Sequence, residues 1–324
     1  MAGLPGWAVR SRRPLGEARP GGGADGSLDS AFNPGFNSTV DAFAFQPDGK
    51  LVVGGYFTRA QPPGATTAIT RNRLARLSPD GSLDANFELA PGGRTLASVV
   101  QADGKIVIGG SFTSVGGATH NYLARLNADG SVDPTYAPNL NGRVLAMAIQ
   151  PDGKVIIGGA FTTIGGETRN YLARLNPSGT IDSEFHPNVD GQVGAVVLQS
   201  DGRILIGGTF SRLQPIGASA ATTRTNAARL TATGQLDTTF DPGPSSTVTA
   251  IAVQSDGKIL LGGAFTSLSP GGTTNTYARS YLARVNADGG LHHCHGGAPR
   301  ARRCEDALDM AFLSLVLHPR VRVR

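Results

Sequence analysis

Residues able to do chemistry recur at fixed intervals along this chain of 324 residues. Arginine returns at Arg76, Arg125, Arg174, Arg229 and Arg284, and aspartate at Asp29, Asp84, Asp133, Asp182 and Asp237. Such aspartates could hold calcium or serve as acid and base. Glycoside hydrolysis, however, needs two carboxylates within several ångströms of each other, and a residue present once per repeat is dispersed by the repeat itself. A structural role is expected for them, bonding turn amides or the repeated arginine. A second set is unequal: nine residues before each of five Asp-Gly pairs stand Thr39, Arg94, Arg143, Gln192 and Thr247. These five are the candidate ligand-binding residues, since two arginines brought together favour a carboxylate, a phosphate or a sulfated sugar. His292, His293, Cys294, His295 and Cys304 are soft-metal ligand types, but their spacing fits no zinc module and no metal site is assigned to them. No HExxH, Walker loop, EF-hand loop or Ser-His-Asp set is present, and residues 25–289 contain only two histidines, His120 and His186. The reading is therefore of a protein that is not an enzyme, without cofactor or catalytic residue.

The elements that must position these residues follow from the repeat. The second copy runs Asp103-Gly104-Lys105-Ile106-Val107-Ile108-Gly109-Gly110-Ser111-Phe112, a loop, then Tyr122-Leu123-Ala124-Arg125-Leu126-Asn127-Ala128-Asp129-Gly130-Ser131-Val132-Asp133. Its first aspartate recurs at Asp48, Asp103, Asp152, Asp201 and Asp256, at intervals of 55, 49, 49 and 55 residues, and Phe57, Phe112, Phe161, Phe210 and Phe265 follow nine residues behind. A period near 50 built of short β-rich runs signals a propeller or solenoid. Each copy holds four candidate strands, in the third copy Val144–Ile149, Lys154–Phe161, Tyr171–Asn176 and a run around Ile181–Phe185. Asp-Gly between apolar runs predicts type I′ hairpins and antiparallel connections. Apolar residues on both faces of the second strand require burial on both sides, which a blade between two blades provides. The Gly-Gly pair has no following helix and no Lys-Ser/Thr, so it is read as a bulge or close packing and not as a phosphate loop.

The motif DGK-[LIV]-x-[LIV]-G-G-x-F…N-Y-L-A-R-L-N-x-D-G-[ST]-[LIV]-D-x-x-F, in five copies over roughly Asp25–Gly289, resembles the delta-60 repeat, a bacterial repeat placed among β-propeller families. The resemblance implies a β-propeller, often in secreted or cell-surface proteins, and no known chemistry. The expected fold is all-β, a β-propeller of five four-stranded blades. Residues 25–32 read as a fourth strand without its first three, and the last copy stops after its third, so an N-terminal strand closing the ring is expected.

Charge bears on partners. The net charge is +5, yet residues 1–24 and 290–324 each carry +3, leaving −1 for 25–289. The near-neutral repeat region offers no surface for tracking a nucleic-acid backbone. With 40% hydrophobic residues the chain can bury a core despite its 45 glycines. Residues 1–24 and 290–324 match no repeat position and are read as a disordered head and as a tail that is disordered or in a shifted frame. Neither contains a signal peptide or an apolar run long enough to span a membrane, so localisation stays unknown. A monomer is expected, with an unknown protein or polysaccharide as partner.

In a four-stranded blade, the loop between the second and third strands shares a rim with the channel mouth. All length variation falls there: Phe112 to Arg125 is 13 residues, but Phe57 to Arg76, Phe210 to Arg229 and Phe265 to Arg284 are each 19. Variation confined to one rim points to a binding face. The sequence reading is a non-enzymatic binding or scaffold module, with a carbohydrate-active enzyme at the central channel as the alternative.

Overall fold

A computed structural model of the protein describes residues 32–62 and 64–291. Each repeat forms one three-stranded antiparallel sheet in the order first, second, third strand, and a two-stranded ribbon. In the third blade these are Val144–Ile149, Val155–Gly159 and Leu172–Leu175. The second strand is buried on both faces in every blade, as Ile106–Gly110 and Ile259–Gly263 illustrate. The one helical turn among the described residues is Pro270–Gly272.

Two local expectations are corrected. The Asp-Gly turns are not type I′. Gly49, Gly104, Gly153, Gly202 and Gly257 have φ between 81° and 84°, but the aspartates before them do not have positive φ. Gly49 donates its N–H to the Gln46 carbonyl, Gln46 donates to Lys50, and the Asp48 carboxylate accepts the Lys50 amide. This is a type I turn with a glycine bulge. Pro47 and Pro151 occupy a position whose φ near −65° a type I turn accepts and a type I′ turn forbids.

The four-stranded blade is also reduced. The expected fourth strand is a single bridge in each copy, Leu77 with Leu83, Leu126 with Val132, Leu175 with Ile181, Leu230 with Leu236 and Val285 with Leu291. The reason lies in the residue that follows. In the second blade Asp133 accepts the Thr135 amide at 3.0 Å, an Asx-type turn that diverts the chain from the ladder.

The Gly-Gly pair performs both roles expected of it. The first strand carries a register shift opposite it in every blade, as between Thr95 and Ala97. A methyl added at Gly110 would lie 2.0 Å from the Arg94 carbonyl, and one at Gly109 2.7 Å from Val144 of the next blade. The pair thus admits the bulge on one side and the neighbouring blade on the other.

The core lies between blades. Val52 and Leu74 of the first blade meet Ile106, Ile108 and Phe112 of the second. Val107 and Leu123 meet Val155, Ile157 and Phe161 of the third, and the pattern repeats to the fifth. First strands of consecutive blades pack side by side from first to fifth, but the fifth and first do not meet in this way among the described residues. The expected closing strand, like Asp29, residues 1–24 and the His/Cys tract, lies outside the described residues. At the other end the bridge to Leu291 carries the fold two residues past Gly289.

Candidate functional site

The repeated arginines and aspartates are architectural. Arg76, Arg125, Arg174 and Arg229 each donate Nε to the aspartate eight residues on, at 2.9, 2.9, 2.8 and 2.8 Å. Each also donates an Nη to a turn carbonyl of the following blade, Ala128, Pro177, Ala232 and Ala287 in turn. Their guanidinium groups stack over Phe87, Tyr136, Phe185 and Phe240 at 4.4–4.9 Å. Lys50, Lys105 and Lys154 reach the same aspartates at 3.3, 3.3 and 2.8 Å. The Thr135 hydroxyl and amide, with Lys105 and Arg125, outweigh burial and hold the Asp133 carboxyl well below the usual range. Each of these four aspartates is thus held by cations of its own blade.

A second repeated cation was not singled out from the sequence, although it stands five residues before each arginine at Arg71, His120, Arg169, Arg224 and Arg279. Arg224 donates to the Phe240 and Thr238 carbonyls, and Arg71 to those of Asp84 and Ala85. These bonds cap the turn that replaces the fourth strand. His120 stands alone in this set with an imidazole, buried and with no partner at Nδ1.

The first strands converge on a cavity of about 470 Å3, a size suited to a small ligand or one unit of a polymer. Of the five predicted residues, Arg94, Arg143, Gln192 and Thr247 line it. Thr39 stands behind Arg94, accepting a hydrogen bond from it at 3.1 Å. Asp41 joins the lining and changes its electrostatics. Arg94 reaches across the blade boundary and grips Asp41 with Nε and an Nη, the latter at 2.5 Å. The Asp41 side chain is 2% exposed and that of Arg94 22%. Hydrogen bonding to Asp41 pushes the Arg94 guanidinium pKa up, against burial, so Arg94 stays charged and committed.

The expectation of two free arginines at the mouth is thereby corrected to one. Arg143 is exposed, and among the described residues no carboxylate pairs with it. The same cavity is lined by neutral groups, Gln192, Thr209, Thr247, Thr249 and Tyr281, with Leu96 and Leu145 as apolar wall.

The variable loops share this end of the blades, and Tyr281, at the end of the fifth, lines the cavity. Each begins and ends in a two-stranded ribbon. The short ones, Ser114–Val115 with Ala118–Thr119 and Thr163–Ile164 with Glu167–Thr168, close over Gly116-Gly117 and Gly165-Gly166. There both residues have positive φ, 58° and 82° in the first, as a two-residue primed turn requires. The six-residue insertions lengthen the connection between the ribbon strands, which remain two residues each, as in Arg59–Ala60 with Ile69–Thr70.

No group of His, Cys, Asp and Glu able to hold a metal ion occurs among the described residues, and none of their helices is long and apolar enough to cross a membrane.

No curated protein sequence matches the chain. Solved structures similar to it include the virginiamycin B lyase of Staphylococcus aureus, at 10% identity and a TM-score of 0.43 over 78% of this chain and 72% of that one. A gluconolactonase of Xanthomonas campestris follows at 13% identity and 0.42 over 81% and 76%. The WD40 β-propeller domain of Doa1 follows at 14% and 0.43 over 77% and 69%. At such scores these likenesses carry no argument about activity. The model of one family, described as a domain of unknown function (DUF5122) beta-propeller, matches five times, at residues 46–87, 101–136, 150–185, 199–240 and 254–291. These matches cover more than half of the chain, each taking in the second and third strands of one blade and leaving out its first, and the protein belongs to this DUF5122 beta-propeller family.

Proposed function

We propose that the protein is a non-enzymatic binding module that captures an anionic group of a polysaccharide or protein at the mouth of its blade array. One observation carries the proposal. Arg143 is an exposed, unpaired guanidinium in a cavity whose other charges, Asp41 and Arg94, neutralise each other. A guanidinium sharing a cavity with an amide and hydroxyls can take a carboxylate or sulfate in a charge-assisted, bidentate manner, while the neutral groups bond the ligand's own hydroxyls. Charge balance further favours a ligand unit with a single negative charge. Binding is supported over hydrolysis because the lining supplies one carboxylate, and Arg94 occupies both its oxygens. The length-variable ribbons would contact the remainder of a polymer or partner from the same end.

Arrays of acidic oligosaccharides, their neutral counterparts and peptides with free C-terminal carboxylates test this with the full chain and its Arg143→Ser variant. Selective retention of singly charged ligands, weakened at least tenfold by the substitution, is expected. Equal retention of neutral and acidic members, or binding unaffected by Arg143→Ser, would overturn the assignment.

A further inference from the structure

Every first strand skips one residue in its pairing with the second, as between Val144 and Ala146 or Val193 and Ala195. A bulged residue of this kind is re-aimed out of the strand's alternation, and in all five blades it lines the cavity, as Asp41, Leu96, Leu145, Gly194 and Thr249. The bulges thus supply a layer of lining of their own, beside Arg94, Arg143, Gln192 and Thr247, which stand two residues earlier in their strands. In this layer the fourth blade alone brings no side chain. A methyl added at Gly194 meets no atom within 4 Å beyond its chain neighbours, and its φ lies outside the left-handed region. Neither packing nor backbone geometry calls for glycine there, so what Gly194 provides is room inside the cavity, in the strand that carries Gln192 and in the blade after Arg143.

The fifth blade departs from the others in a second way. The residue before each third strand has positive φ, and it is Arg73, Tyr122, Tyr171, Asn226 and Tyr281 in turn. Tyr122 and Tyr171 pack against the apolar clusters between blades. Tyr281 instead lines the cavity and is 57% exposed. It adds an aromatic ring, more than half open to solvent, to a wall otherwise made of hydroxyls, an amide, short aliphatic groups and the arginines.

We infer that the cavity takes one pyranose ring of an acidic saccharide, seated in the room left by Gly194, with its C–H face on Tyr281 and its carboxylate on Arg143. The inference rests on the reading of Arg143 as an anion anchor and adds which class of anion is taken and which residues select it. A uronate ring combines the chemistries that the lining offers separately. Its carboxylate suits the guanidinium, and its hydroxyls suit Gln192, Thr209, Thr247 and Thr249, whose side chains both donate and accept. Its face of C–H groups suits the apolar, electron-rich face of an aromatic ring. A ring is also broader than an extended chain, which accounts for the missing side chain where Leu96 and Leu145 stand in their own blades. A peptide C-terminus matches the lining less well, because beyond its carboxylate it brings one amide per residue and leaves most of these hydroxyls to water.

Calorimetric titration of the full chain with galacturonate and with acetyl-trialanine, which carries the same single negative charge, tests this on Gly194→Leu, Tyr281→Asn and Tyr281→Phe. Leucine is the residue of blades two and three at the first position, and asparagine that of blade four at the second, where Asn226 has φ of 61°. Both changes therefore suit the backbone, and thermal midpoints are expected to stay within about 2 °C of the unmodified chain. Galacturonate is expected to bind at least about tenfold more tightly than acetyl-trialanine. Gly194→Leu should weaken it at least about tenfold by filling its seat, and Tyr281→Asn about fivefold, while Tyr281→Phe, which keeps the ring, should retain it. Galacturonate binding unchanged in either Gly194→Leu or Tyr281→Asn, or acetyl-trialanine binding as tightly as the uronate, would overturn the inference and leave Arg143 standing as an anion anchor. Binding of both anions that survives Arg143→Ser would instead remove the reading beneath it. Should Gly194→Leu lower the midpoint further than expected, the exposed Tyr281 pair still decides the matter.

Discussion

Replacing Arg94 with Thr removes the one cation that touches Asp41 among the described residues, and the consequence follows from the burial of the two partners. Asp41 is 2% exposed and accepts from Arg94 at both oxygens, so the substitution leaves an uncompensated carboxylate at the blade boundary. Removing one partner of a fully buried pair costs about 3–5 kcal/mol. Arg94 is 22% exposed and water can enter where it stood, which brings the expectation down to about 2–3 kcal/mol. The fifth blade shows how to remove the penalty, since it carries Thr247 and Thr249 at the positions of Arg94 and Asp41. Asp41→Thr combined with Arg94→Thr is therefore expected to lie within about 1 kcal/mol of the unmodified chain, giving a coupling of about 2 kcal/mol in a double-mutant cycle. Urea unfolding of the four proteins measures it. If Arg94→Thr alone costs less than about 0.5 kcal/mol, the pair behaves as an exposed one. Arg94 would then be free to bind ligand beside Arg143.

Phe112 and Phe161 are wholly buried between blades, and each Phe→Ala change is expected to cost about 3–5 kcal/mol in chemical denaturation. Gly109→Ala must displace Val144, 2.7 Å from the added methyl, and is expected to cost about 1–3 kcal/mol, whereas Gly262→Ala, with ordinary contacts, should change stability by less than about 0.5 kcal/mol. Burial pushes the His120 and His186 pKa values below the ordinary 6.5, so the unfolded chain binds more protons and stability falls as pH drops through and below about 6.5. Asp133, held below the ordinary 3.8, contributes stability that is present above that value and is lost as pH falls further. Melting curves from pH 8 to 3 should show both declines, and His120→Gln with His186→Gln should remove the first.

The repeat made most of the architecture readable. Alternation and Asp-Gly spacing placed Val144–Ile149 at its observed bounds and the second and third strands within two residues of theirs. The structural role of Asp84 and its equivalents followed from their dispersal once per repeat. The fourth strand was overestimated because Leu-Asp-x-x-Phe has strand-like apolar ends, while the aspartate between them binds its own backbone. The turn type was misjudged from Asp-Gly alone, because the turn is centred one residue earlier, with Pro47 and Pro151 at its first central position. At the mouth, four of the five residues picked out by a fixed offset to Asp-Gly lie in the lining. The pairing of Arg94 with Asp41 was not, because it joins position −9 of one blade to position −7 of the blade before. Its sequence signal was the coincidence of two deviations in adjacent copies, Asp41 where the others carry Leu, Gly or Thr, and Arg94 directly opposite it.

Calorimetric titration of the full chain with galacturonate and with galactose, repeated on Arg143→Ser, tests the central claim most directly. The account predicts that the uronate binds and galactose binds at least tenfold more weakly, that Arg143→Ser removes this difference, and that thermal stability changes little because Arg143 is exposed and unpaired. A preference for the uronate that survives in Arg143→Ser, or equal binding of the two sugars by the unmodified chain, would contradict it.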